Sequence, residues 1–105
     1  MYEIFKFKIM LSKPLQVKAV NHYSIWVKFE DNTEGEVDLS HLIDKPVFKN
    51  WMKPGFFDRV YIDPETDAIA WDENIELCPD NMYLKIKGIT FEQWKNSQYS
   101  YATSK

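Results

Sequence analysis

The chain has 105 residues, a formal charge of −3 and one cysteine. That length suits a single domain burying roughly 65% of its unfolded surface, enough for one core and too little for a large internal pocket. The charge gives no electrostatic reason to bind nucleic acid or an anionic membrane, one cysteine forbids an intramolecular disulfide, and aromatics make up 16% of the residues, which argues against disorder.

In chain order, residues 4 to 11 alternate, with Phe5, Phe7, Ile9 and Leu11 set against Lys6, Lys8 and Met10. That is the pattern of a half-buried strand. Such a strand can complete its own sheet or pair with a second copy in a homodimer, and the residues leave both open. Lys13-Pro14 breaks it. Gln16 to Val20 is a short run with Val17 and Ala19 on one face, and Asn21-His22-Tyr23 is a turn. Ser24 to Glu30 gives the clearest strand, with Ile25, Val27 and Phe29 inward and Trp26, Lys28 and Glu30 outward. Asp31-Asn32-Thr33 turns the chain, because Asn and Asp tolerate left-handed φ. Glu34 to Leu39 returns, with Val37 and Leu39 inward. Gly35 signals a bulge or a close approach of another element.

Asp38 or Ser40 then caps a short helix carrying Leu42 and Ile43, which Lys45-Pro46 ends. Val47, Phe48, Trp51 and Met52 fit a further helical turn or two, stopped by Pro54-Gly55. The stretch Val60 to Tyr83 organises the rest. Val60 and Ile62 form one run, Asp63 to Asp67 is a proline-bearing turn, and Ala68 to Trp71 returns with Ile69 and Trp71 on one face, so a hairpin is expected. Ile75 and Leu77 make a third extended piece. Pro79 opens a helix, Asp80 favours its positive end, and Gly88 supplies a left-handed stop. Thr90 and Gln93 form a capping box for a last helix to about Ser97, with Phe91 and Trp94 on one side. The expectation is one α+β domain over residues 1–98, a small antiparallel sheet built from hairpins with short helices packed on one face, and a loose tail over 99–105.

Chemistry is sought in several patterns. Asp38, His41 and Asp44 recur every three residues, but such steps drift round a helix and acids at a helix start serve as caps, so no metal is assigned. Cys78 precedes Pro79 at a strand-to-helix junction; no base is placed beside it and its surroundings are acidic, so a buried structural cysteine is the better reading. No carboxylate pair is distinguished by spacing, and three glycines leave no phosphate-binding loop. No catalytic residue, metal or cofactor is therefore expected. Phe5-Lys6-Phe7-Lys8 could stack single-stranded nucleic acid, which keeps a nucleic-acid-associated or transcription-regulating accessory role as the alternative; an amphipathic edge strand explains it better. Phe29 to Asp44 holds six acids and no Lys or Arg, and Asp63 to Asp80 holds seven, again without a base. Solvated loops and edges outweigh an acidic docking face as the explanation. Four tryptophans in so small a domain cannot all be central, and Trp and Tyr dominate binding hot spots. The candidate partner-binding residues are Trp26, Lys28, Trp71, Asp80 and Tyr83, the Trp26 face counting as a contact patch if neither the N-terminal strand nor the last helix covers it. No run is apolar enough to span a bilayer, and charges at Glu3, Lys6 and Lys8 interrupt any signal peptide, so a cytoplasmic location is expected.

The order of V-x-F-E-D-N from Val27 to Asn32, V-D-L from Val37, F-x-x-V from Phe57, I-x-W from Ile69 and L-C-P-D-x-x-Y from Leu77 resembles the bacterial domain-of-unknown-function family 2442, over about Pro14 to Tyr83. Asn32 stands where glycine is usual and Met82 where leucine is usual. The N-terminal strand and the part after Leu84 lie outside the resemblance. It implies a small α+β domain on an antiparallel sheet, with no established activity. Some relatives carry a C-terminal helix-turn-helix domain, and some are encoded beside another small protein in an arrangement that looks like a toxin–antitoxin pair. The roughly twenty residues after Tyr83 are too few for a helix-turn-helix unit, so DNA binding by that route is not carried over. A protein partner is expected, through an antitoxin-like or regulatory interaction module.

Overall fold

The computed structural model describes residues 11–96. The expected N-terminal strand, apart from Leu11, and the tail lie outside the described residues. Among the described residues, six strands form two antiparallel three-stranded sheets. β1 (Pro14–Val20), β2 (Ser24–Phe29) and β3 (Glu34–Asp38) make the first, in that order; β4 (Tyr61–Ile62), β5 (Ile69–Asp72) and β6 (Ile75–Leu77) make the second. The fold is thus a small antiparallel α+β domain, although the sheet is split in two. β1 lies beside β4 at the seam between the sheets.

The turns follow from their residues. His22 and Tyr23 both take positive φ, at 54° and 60°, which suits the twist of a tight hairpin. Asn32 sits at φ 74°, and the Asp31 carboxylate accepts from the Thr33 amide at 2.9 Å. In the β4–β5 hairpin the Asp63 carboxylate accepts from the Glu65 amide at 2.8 Å, and Asp67 takes φ 65°. Each is a short polar side chain standing in for a backbone partner.

Between the sheets run three short 3-10 helices, Ser40–Leu42, Pro46–Met52 and Phe57–Arg59. The first has Leu39 at its N-cap, with no side-chain cap bond, in place of the expected Asp38 or Ser40; the Asp38 carboxylate, one residue earlier, accepts from the Ser40 amide at 2.9 Å. In a 3-10 helix residues three apart eclipse one another. Only Phe48 and Trp51 of the second therefore turn inward, while Val47 and Met52, expected on the same helical face, are more than half exposed. α1 (Pro79–Lys87) starts with the expected proline and ends at Gly88, φ 71°. The Gly88 amide donates to Leu84 and Lys85 and the Ile89 amide to Leu84, closing a Schellman motif. The capping box of α2, helical from 91 to 96 in the described residues, is reciprocal: Thr90 amide to Gln93 at 2.9 Å, Gln93 amide to Thr90 at 3.0 Å.

The inner face of β2 supplies Ile25, Val27 and Phe29, all wholly buried, and β3 adds Val37. Ile69, Trp71 and Ile75 from the second sheet, Phe48, Trp51 and Phe57 from the 3-10 helices, and Met82 and Tyr83 from α1 complete the core. Gly35 lets α1 come close: a Cβ there would stand 3.0 Å from Ile86 Cγ2. Among the described residues no helix is long and apolar enough to cross a membrane.

Candidate functional site

The five residues singled out from the sequence separate into three groups. Trp26 and Lys28 alternate with the buried Ile25, Val27 and Phe29, so they lie on the outer face of the first sheet, each half-buried. In register, Lys18 and Glu36 flank Trp26, and Gln16 and Glu34 flank Lys28. Lys18 Nζ lies 5.5 Å from the centre of the Trp26 ring, a cation–π contact that keeps a positive charge beside an open aromatic surface.

Trp71 and Tyr83 are core residues, and their candidacy as contact residues is corrected. Trp71 is 1% exposed, beside an irregularity in the β5–β6 register, and its indole N–H donates to the Phe57 carbonyl at 2.9 Å. Its ring centre lies 4.8 Å from that of Trp51 and 5.4 Å from that of Phe57. Tyr83 is 4% exposed and packs edge-on against Phe29 at 5.2 Å. Asp80, half-buried at the start of α1, accepts from the Leu11 amide at 3.2 Å. Its carboxylate anchors the lead into β1 and is not a free contact group. Cys78 is exposed, contrary to the buried reading, because it continues the outward phase of Glu76 on β6.

The Tyr83 hydroxyl reaches the first turn and donates to the Asp31 carboxylate at 2.7 Å. Burial would push the Asp31 carboxyl up; the Tyr83 hydroxyl, the Thr33 amide and side chain, and the Lys87 charge outweigh it and hold the group below its ordinary 3.8. Burial, and after it the bond to the Asp31 carboxylate, raises the Tyr83 hydroxyl above its ordinary 10.0. This pair is a structural tie between α1 and the β2–β3 turn. Tyr83→Phe is expected to cost about 1–2 kcal/mol at neutral pH, measured by urea denaturation. A carboxylate with a lowered folded pKa contributes stability above its unfolded pKa, and that contribution fades as pH falls through the folded value. The gap between wild type and Y83F should accordingly narrow below about pH 3.8.

Around Trp26 the surface is concave. An open cleft of about 600 Å³ lies at the seam between the sheets, lined by Leu15 to Lys18, Trp26 and Val60 to Ile62. Leu15 and Tyr61, 52% and 41% exposed, stand at it. Among the described residues, Lys18 is the one charged residue in its lining. Neither the edge position of β1 nor the juxtaposition of Val60–Ile62 with Trp26 could be read locally, since no sequence signal states which strand edges meet. A second cavity of about 370 Å³ lies between the β1–β2 turn and the 3-10 helices, with His22, Lys53 and Asp58 in its lining. Among the described residues no three His, Cys, Asp or Glu side chains gather as a metal-binding group. Asp38, from the Asp38–His41–Asp44 series, is instead held below its ordinary value by hydrogen bonds from the Ser40 hydroxyl and amide.

The cleft offers a partner shape, apolar contact and, among the described residues, the Lys18 ammonium and the Tyr61 hydroxyl. No curated protein matches the chain, and no solved structure does. A family model described as protein of unknown function, DUF2442, matches residues 14–88, five residues further than the motif order reaches, and the chain belongs to that family.

Proposed function

We propose that this chain is a non-enzymatic protein-interaction module, the antitoxin-like or regulatory member of a small bacterial two-gene pair, acting in the cytoplasm. One observation carries the reading: an open cleft of mixed polar and apolar lining beside a partly exposed tryptophan, flanked by the exposed Leu15 and Tyr61. Exposed aromatic and aliphatic groups around a concavity are the usual anchors of a protein contact. Solvation alone would favour polar residues at these positions.

Trp26→Ala separates folding from docking. The side chain lies outside the core, so the variant should stay within about 1 kcal/mol of wild type in stability. A tryptophan anchor is worth about 2 kcal/mol or more, which corresponds to at least a thirtyfold loss of affinity. Tagged wild type and W26A, expressed in the native host, are compared for stoichiometric co-purifying protein. The reading expects a partner with wild type, encoded by the neighbouring gene, and little or none with W26A. Equal recovery with both, or no partner with wild type, would refute it.

A further inference from the structure

We infer that the outer face of the first sheet is self-complementary and that a second copy of the chain docks on it, Trp26 against Trp26. The inference rests on the reading of this face as a docking surface and gives it a second copy of the chain as occupant when the native partner is absent. The pairing register lays the face out in rows across the three strands. One row reads Lys18, Trp26, Glu36; the next reads Gln16, Lys28, Glu34. The β1 side is thus basic or neutral, the β3 side acidic, and an aromatic ring sits between them.

Two identical faces can meet only about a two-fold axis lying in the plane of contact. An axis across the strands would set Lys18 against Lys18 and Glu36 against Glu36. An axis along β2 sets Lys18 of each copy opposite Glu36 of the other, twice, and brings the tryptophans together at the centre. It also sets Gln16, an amide donor, opposite Glu34. Lys28 then faces its own copy, with Glu34 in register beside each to offset the repulsion. Packed sheets lie about 10 Å apart and cross at about 30°, a gap and a displacement that a lysine and a glutamate together can span.

Size sets the strength. Three strands by the two rows cover about 200 Å² per copy, well under the usual 800 Å² for a stable partner, so self-association should be weak and is sought from about 10 μM to 1 mM chain. Sedimentation velocity over that range tests this. Wild type should dimerise. Lys18→Glu and Glu36→Lys should each weaken the dimer at least tenfold, since each turns two attractions into two repulsions. Mixing the two variants should restore association between unlike chains, and the double variant K18E/E36K should dimerise with itself; both results also show that the swapped chains are folded. Monomeric wild type at the highest concentration, a dimer indifferent to both swaps, or a mixture that stays monomeric would each overturn the inference. If that happens while W26A still loses its native partner, only the self-docking falls; if W26A keeps that partner, the docking reading falls with it.

Discussion

Replacing Trp71 with alanine is expected to lower the melting temperature by about 15–30 °C, while the same change at Trp26 moves it by less than about 5 °C. The residues are chemically identical and both sit on strands. Trp71 is 1% exposed, packs on Trp51 and Phe57, and satisfies a buried carbonyl. Removing it opens a cavity and leaves the Phe57 oxygen without its partner, together about 3–5 kcal/mol. A domain of this size has about 5–15 kcal/mol in all, so W71A should be partly unfolded under mild conditions. Trp71→Phe divides the two effects: it restores most of the packing and leaves the carbonyl unpaired, so an intermediate loss is expected. Thermal unfolding followed by circular dichroism measures all three variants.

Gly35→Val is expected to cost about 2 kcal/mol, although valine favours strands. A Cβ at this position would stand 3.0 Å from Ile86 Cγ2 and 3.5 Å from Cγ1. Isoleucine is stiff about χ1 in a helix, so Ile86 cannot swing aside, and α1 would have to lift off β3. Shortening the neighbour should relieve the clash. Ile86→Ala alone removes a half-buried contact and destabilises, yet G35V/I86A should be more stable than the sum of the single losses by at least about 1 kcal/mol. Urea denaturation of the four proteins gives the coupling; additive losses would mean that the two elements do not meet as described.

Much of this architecture is legible locally. Ile25, Val27 and Phe29 alternate with Trp26 and Lys28, and period-2 alternation reports a strand with one wet face directly. Pro79, Gly88, Asn32, Thr90 and Gln93 act through backbone chemistry that extends over a few residues, so their roles could be assigned without knowing the fold. What stayed hidden depends on distant partners. Trp71 looked like Trp26 because alternation was sought in a strand whose Ile69, Ala70 and Trp71 are all buried. The unbroken Ala-Ile-Ala-Trp run was the available signal for a strand covered on both sides. Tyr83 could not be placed because its hydroxyl partner, Asp31, lies 52 residues away. The 3-10 period over Pro46–Met52 reversed the exposure of Val47 and Met52, and their apolar character alone could not reveal it. The cleft depends on β1 lying beside β4 at the seam of the two sheets, a long-range contact without a local signature.

Site-specific photo-crosslinking tests the docking claim most directly. A photoreactive phenylalanine analogue is placed at position 26 or at position 47, where Val47 is 54% exposed on a 3-10 helix and lines neither cavity. After irradiation in the native host, position 26 should give a discrete crosslinked protein band and position 47 should give none. A band of equal yield from both positions, or from position 47 alone, would contradict the assignment of the Trp26 face as the surface through which this chain makes contact.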